Sequence, residues 1–329
     1  MDIMQSIYER SRAAGKSVAF PEATEEKILQ AARACVDEGI CSPVLVGSSQ
    51  EIRAAAERSD VSLEDIAVQE AFDEDFLAAL IDRYVAKHPL NSAKTMRRKS
   101  KDPLYTALMM QAMGDVDVTF AGLTHSTGDV IMAGQMVVGL QEGVSTVSSV
   151  GIFNIPGYEG SEGPLLGFGD SAVCADPDAG QLASIAISAC ETVSALTQWE
   201  PRCALLSYST CGSAEGELVA KVTDALAIAR ERRPDLKIDG EFQLDSAINP
   251  AVAAKKVRRE SEVAGRANIV IWPDLNVGNI GVKLVQQFAR ADAYGPMLQG
   301  FAKVVCDCSR SAPVSEMVGN IAMSCVRAL

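Results

Sequence analysis

The sequence predicts an α/β protein made of two domains with mainly parallel sheets. Three observations carry this. At 329 residues the chain is long for a single core. Short apolar runs alternate with longer stretches whose apolar residues recur at helical spacing, the rhythm of a parallel sheet covered by helices. That rhythm breaks once, over about 148 to 170, where "SSVGIFNIPGYEGSEGPLLGFGD" is rich in Gly, Pro and Ser, so a domain change is expected near there.

Taken in order, "EEKILQAARACVDEG" has the spacing of a helix and "SPVLVG" that of a buried strand. "DPLYTALMMQAMGD" reads as helix, "VDVTFAGL" as strand and "GDVIMAGQMVVGLQ" as helix. The interrupted segment opens with a strand-like run and then loops. After it, "GQLASIAISACETVSAL" is helix, "PRCALLSYS" strand and "ELVAKVTDALAIARERR" helix. The mixed-charge stretch "AAKKVRRESEVAG" reads as a solvated helix end. "ANIVIWPD" is then strand, "GVKLVQQFAR" helix, and "AKVVCD" a last strand before a final helix.

Composition narrows the function classes. Lys plus Arg is 30 against 43 Asp plus Glu, a net charge of −13. Such a surface repels duplex nucleic acid and anionic membrane, and an anionic small ligand would need a locally positive pocket. The chain is 48% hydrophobic, with no apolar run expected to approach the roughly 18 residues of a membrane helix. "MDIMQSIYERSRAAGKS" lacks a secretory apolar core, so a soluble cytoplasmic protein is expected. The nine cysteines are scattered and read as reduced, mostly buried thiols.

The standard catalytic signatures are missing. There is no GxxxxGK[ST], HExxH or G-x-S-x-G, only two histidines (His88 and His125) and no C-x-x-C pair. "DPDAG" at 176–180 opens like a calcium loop, but no ligand series follows. No metal site is expected. What recurs is a junction of apolar strand, polar turn and helix: "VTFAGLTHSTGDV", "ALLSYSTCGSAEGEL", "IVIWPDLNVGNIGVKL" and "KVVCDCSRSAPVSEM". Ligands of parallel sheets bind beyond the carboxyl ends of strands, where helix N-termini offer free N–H groups.

In the last junction, Cys306 and Cys308 alternate along a strand and read as inert core thiols. Ser309 and Arg310 follow as a polar pair. Pro313 suits the first position of a helix, which places Glu316 in or beside its first turn. Spacing alone favours a dipole-compensating carboxylate there; a general base facing the Ser309–Arg310 cleft is the alternative.

These residues resemble the phosphate acetyltransferase (phosphotransacetylase) family. The resemblance is carried by "FPEATEEKILQAA", "DPLYTALMM", "THSTGDV", "DPDAGQLASIAIS", "LSYSTCGSA", "DGEFQLDSAINP", "KKVRRESEVAGRANIVIWPDLNVGNIGVKLVQ", "AYGPMLQG" and "DCSR", in family order over essentially the whole chain. It implies an isocitrate/isopropylmalate dehydrogenase-like fold in which residues 148–293 form a second domain inserted into the first, residues 1–147 plus 294–329. The active site is expected in the interdomain cleft, in a homodimer. The reaction implied is acetyl-CoA plus phosphate giving coenzyme A plus acetyl phosphate, reversibly, as in acetate metabolism. Coenzyme A and acetyl-CoA are then substrates, with no bound cofactor.

By resemblance Ser309 hydrogen-bonds the coenzyme A thiol, Arg310 holds the phosphate and the carbonyl oxygen, and a carboxylate at 316 removes the thiol proton. The matched motifs supply Ser126, Thr127, Ser209, Thr210, Asn279, Lys283 and Tyr294 as substrate-binding positions. Four positions depart from the family pattern. Glu316 stands for an aspartate, Met132 for an arginine seven residues after the histidine, Ala86 (beside Lys87) for a second arginine, and Cys211 for a lysine. The basic run Arg97, Arg98, Lys99 and Lys101 reads as a solvated helix face, with compensation for the missing arginines as the alternative. The alternatives are a phosphate acyltransferase for a different short acyl group and a catalytically weak acyl-CoA-binding or assembly protein. An isopropylmalate-type dehydrogenase would need metal-binding aspartates, and no such set is visible.

Overall fold

The structure is a computed structural model that describes residues 3–329. In chain order it begins α1 (Ile3–Ala14), β1 (Ser17–Phe20), α2 (Glu26–Asp37), β2 (Ser42–Gly47), α3 (Ser49–Arg58), β3 (Ala67–Glu70), α4 (Glu74–Lys87), α5 (Ala93–Lys99), α6 (Pro103–Met113), β4 (Val118–Ala121) and α7 (Thr127–Val137). There follow β5 (Ser148–Asn154), β6 (Leu165–Gly169), α8 (Ala179–Thr197), β7 (Arg202–Leu206), α9 (Glu217–Arg232), β8 (Lys237–Phe242), α10 (Leu244–Ile248), α11 (Pro250–Lys256), β9 (Ile269–Ile271), α12 (Leu275–Ala289) and β10 (Asp292–Gln299). The chain closes with β11 (Val305–Asp307) and α13 (Val314–Arg327).

Two compact units result, one from residues up to Gly139 with Phe301–Leu329, the other from Leu140–Gly300. The breaks fall at 139/140 and 300/301, where the sequence reading put them at 147/148 and 293/294. The reason is strand pairing: β10 runs antiparallel to β5 from Asp292↔Asn154 to Gln299↔Ser148, so residues 294–299 stay with the second unit.

The first unit holds a five-stranded sheet in the order β11-β4-β1-β2-β3, every neighbouring pair parallel. β11 comes from the far end of the chain and pairs with β4, Val305↔Thr119 to Asp307↔Ala121. This puts the loop after β11 beside the loop after β4. α2 and α13 pack on the sheet, and α6 packs on β1, β2 and β4 under α4 and α7. α6 is apolar all round because it is covered on every side. Its ends are written in the sequence: the Asp102 side chain accepts from the N–H of Leu104, Pro103 opens the helix, and Gly114 closes it at φ 84.

The second unit carries six strands in the order β10-β5-β6-β9-β7-β8. β6, β9, β7 and β8 are parallel, while β5 pairs antiparallel with both β10 and β6. α8 lies along the sheet with α9 beside it. α8 corrects one expectation, since its 19 residues are long and apolar enough to meet a membrane-helix criterion. Its apolar side chains, Leu182 to Leu196, are instead buried in the unit's core. "DPDAG" is also explained: Asp178 accepts from the Gln181 N–H and Gln181 answers to Asp178, a capping box that starts α8. A second cluster centred on Phe153, Leu166, Phe168, Phe242 and Trp272 packs against Val282 of α12. Truncating Phe168 to alanine would cost about 3–5 kcal/mol.

Candidate active site

In the first unit, two adjacent strand ends build a polar site. After β4 the chain turns through Gly122–Ser126 into α7. Glu22, 5% exposed, sits under that turn and accepts the backbone N–H groups of Leu123 (2.8 Å), Thr124 (2.9 Å) and His125 (2.9 Å), and the Thr124 hydroxyl (2.8 Å). The His125 ring spans two carboxylates, with Nδ1 2.8 Å from Glu22 and Nε2 3.0 Å from Asp102. Burial opposes ionisation of Glu22, yet the His125 ring and the backbone donors outweigh it and bring its pKa down to about 2. Asp102 and then Glu22 hold the His125 ring charged, raising its pKa to about 10.

Ser126 caps α7: its hydroxyl donates to Asp129 (2.6 Å), and Asp129 also accepts the Ser126 N–H (3.2 Å). The Thr127 hydroxyl donates to Asp307 Oδ2 at the end of β11 (2.6 Å). The other Asp307 oxygen is buried without a hydrogen-bond partner, and burial raises this carboxyl to about 6. Gly122 makes the approach of the two loops feasible. It has φ +108, and a Cβ there would lie 2.1 Å from Asp307 Oδ1 and 2.7 Å from the Cys308 nitrogen.

Cys306 and Cys308 are both buried, with thiols raised by burial, as inert core residues should be. Ser309, Arg310 and Ser311 are exposed on the loop that follows. Ser309 Oγ lies 3.0 Å from Ser311 Oγ and accepts the Ser311 N–H. Lys27 braces this loop from α2, donating to the carbonyls of Ala312 (3.0 Å) and Arg310 (3.4 Å). The Arg310 guanidinium has no ion pair among the described residues; the Ser126 hydrogen bonds hold Asp129 low, and the charges of His125 and Arg310 add to this. Pro313 occupies the N-cap rather than the first helical position of α13, which leaves Glu316 exposed in the first turn. The structure thus groups Ser309, Arg310, Thr127 and Ser126 around the ends of β4 and β11.

Beside this turn lies a cavity of about 400 Å³ lined by Arg98, Lys99, Lys101, Tyr105, His125 and Met132, with Asp102 and Asp129 also on its wall. The basic run is therefore not a uniform solvated face. Arg97 points to an ion pair with Glu74, Lys99 bonds the Tyr105 hydroxyl (3.1 Å), and Arg98 and Lys101 face the cavity. Met132 is 58% exposed on the cavity wall, and Ala86 is exposed near the end of α4.

In the second unit the residues after β7 are organised by buried carboxylates. Ser209 is buried and donates to Glu241 (2.8 Å), which also accepts the Gly212 N–H (2.8 Å). Thr210 is buried too; its hydroxyl accepts the Gln243 N–H (2.9 Å). Cys211 is exposed at the tip, at φ 49. Arg259 lies in the stretch expected to be a solvated helix end, yet it makes a two-pronged pair with buried Asp239 (2.7 Å each). Asn279 of α12 donates to the Ser171 carbonyl (3.2 Å), Lys283 is exposed on the same helix, and Tyr294 lies half-buried in β10 opposite Ile152. The sequence reading does not single out Glu22, Glu241 or Asp239, and it notes Asp307 only as part of the Cys306-Asp307-Cys308 run. Each acts on residues brought to it by the fold, so no local pattern marks it.

Comparison with known proteins agrees with this architecture. The family model for phosphate acetyl/butaryl transferase matches residues 2–325. The phosphate acetyltransferase of Clostridium acetobutylicum is 40% identical over 334 residues, covering 100% of this chain and 99% of the relative. A phosphotransacetylase from Streptococcus pyogenes superposes with a TM-score of 0.91 at 30% identity, covering 99% of this chain and 98% of that one. A 4-hydroxythreonine-4-phosphate dehydrogenase from Klebsiella pneumoniae, at 11% identity, TM-score 0.54, and 95% and 100% coverage of this chain and that one, shares the fold alone. The chain therefore belongs to the phosphate acetyl/butaryl transferase family and is an acyltransferase that moves acetyl reversibly between coenzyme A and phosphate.

Proposed function

We propose that the reaction is carried by Ser309, Arg310 and Glu316, with acetyl as the transferred group. In the direction of thioester synthesis, Glu316 takes the proton from the coenzyme A thiol and Ser309 hydrogen-bonds the sulfur. The thiolate attacks the acetyl carbon, a C–S bond forms, the bond from that carbon to the bridging oxygen breaks, and phosphate leaves with that oxygen. Arg310 balances the charge that gathers on the carbonyl oxygen and on the leaving phosphate. An alkyl thiol is mostly protonated at neutral pH, so a positioned base is needed. The observation that carries this reading is the exposed Ser309–Arg310 pair at the carboxyl end of parallel strand β11, with a guanidinium that has no ion pair among the described residues. Ser126, Thr127, Ser209, Thr210, Asn279, Lys283 and Tyr294 are read as substrate contacts. For Ser126, Thr127, Ser209 and Thr210 this role is shared with holding their own turns.

The reading includes a homodimer and a cytoplasmic location. The first is supported by the exposed apolar stripe of α12, Val277, Ile280, Leu284 and Phe288, the last 84% exposed. The second is supported by nine free thiols, which suit a reducing compartment.

The test is thioester formation from acetyl phosphate and coenzyme A. Wild type should turn over, and Arg310→Ala should lower kcat by about 10²–10³-fold. The departures at Ala86, Met132 and Cys211 favour a second reading, an acyl-CoA-binding protein. No turnover with acetyl, propionyl or butyryl phosphate, together with measurable coenzyme A binding, would establish that reading instead.

A further inference from the structure

The cavity beside the β4 turn concentrates positive charge on a strongly acidic chain. Arg98, Lys99, Lys101 and the His125 ring give it four cationic groups against two carboxylates. Both carboxylates are already engaged, Asp102 with His125 and the Leu104 N–H, Asp129 with Ser126. Lys99 is held by the Tyr105 hydroxyl and lies over that ring, 4.8 Å from its centroid. Arg98 and Lys101 have no hydrogen bond or ion pair among the described residues, so their donors are free for a ligand. The His125 ring cannot leave, because Glu22 and Asp102 hold both its nitrogens. The cavity also adjoins the reacting loop, since Asp129 feels the charges of both His125 and Arg310.

We propose that Arg98 and Lys101, lining one cavity with Lys99 and the fixed ring of His125, form a binding site for a phosphate group of the substrate. The proposal rests on the acetyltransferase reading for what carries that phosphate. A guanidinium grips phosphate with two parallel hydrogen bonds, and a nearby ammonium adds point charge. Two chemistries bring a phosphate here: the nucleotide end of coenzyme A, or inorganic phosphate and the acyl phosphate.

The experiment compares wild type with Arg98→Ala/Lys101→Ala, with Lys94→Ala as an α5 control. It measures KM for coenzyme A, 3′-dephospho-coenzyme A and acetyl phosphate, and calorimetric binding of coenzyme A and inorganic phosphate. The double variant should raise KM, and weaken calorimetric binding, by about tenfold for one of the two ligand classes, equivalent to about 1.4 kcal/mol. Its kcat should stay within about twofold. A rise for coenzyme A that vanishes with the dephospho form assigns the site to the 3′-phosphate. A rise for acetyl phosphate with weaker phosphate binding assigns it to the acyl phosphate. Unchanged KM and unchanged binding of both ligands overturns the proposal. Absence of turnover in the wild type would sink the acetyltransferase reading, while calorimetric binding would still test the site.

Discussion

Glu22 Oε1 and His125 Nδ1 lie 2.8 Å apart although 103 residues separate them in the chain. The carboxylate comes from the loop after β1 and the ring from the loop after β4, adjacent strands of one sheet. Their pairing fixes the turn that feeds α7, and Asp102 secures the ring from the start of α6.

The His125 ring sets a pH dependence of stability. Its pKa is about 10 in the folded state against an ordinary value near 6.5, so folding favours the protonated ring. Its contribution is full below pH 6.5 and lost as pH rises through 10. Glu22, lowered to about 2, contributes above pH 4.5 and loses that contribution as pH falls toward 2. Urea denaturation from pH 6 to 10 should show a steeper decline in wild type than in His125→Gln. Parallel declines would refute the charged ring.

Asp307 also loses stability as pH rises, but in a lower window. Burial raises its pKa to about 6, so its ionisation costs stability as pH rises from the unfolded value near 4 through 6. Thr127→Val removes the donor to its ionised form and should cost about 1–3 kcal/mol at pH 7.5, fading toward pH 5. An equal loss at both pH values would point to packing rather than to this bond.

Gly122→Ala should unfold the site or the whole first unit. The new methyl would fall 2.1 Å from Asp307 Oδ1, in a backbone conformation that alanine resists. Loss of several kcal/mol by thermal denaturation is expected. A variant with wild-type melting would mean that the β4 and β11 loops are not closely apposed.

At position 316 the two candidate roles separate cleanly. Glu316→Gln should lower kcat by about 10²–10⁴ if the carboxylate is the base. Glu316→Asp, the residue expected by resemblance, should retain activity within about tenfold. Full activity in Glu316→Gln would leave the side chain as dipole compensation at the start of α13.

Met132→Arg tests the departure on the cavity wall. Restoring a guanidinium at a 58% exposed position should lower KM for the phosphate-bearing substrate by about threefold, the scale of an exposed ion pair. An unchanged KM would show that this wall does not meet the ligand.

Local patterns determined much of this protein. Helical spacing placed most of the longer helices, apolar runs placed β2, β4, β7, β9 and β11, and the alternation of Cys306 and Cys308 marked them as core; the caps Asp102-Pro103 and Asp178…Gln181 are equally local, although the sequence reading does not use them. These features are legible because each depends on residues within one or two turns. Family motifs then pointed to Ser309 and Arg310. Tertiary structure alone decided what surrounds them. It decided that Glu22 and Asp102 clamp His125, that Asp307 meets Thr127, that Arg259 reaches Asp239, and that β10 pairs with β5 and moves a domain boundary. Those contacts join segments far apart in sequence, and their driving force, satisfying a buried charge or an open strand edge, exists only after the sheets have assembled.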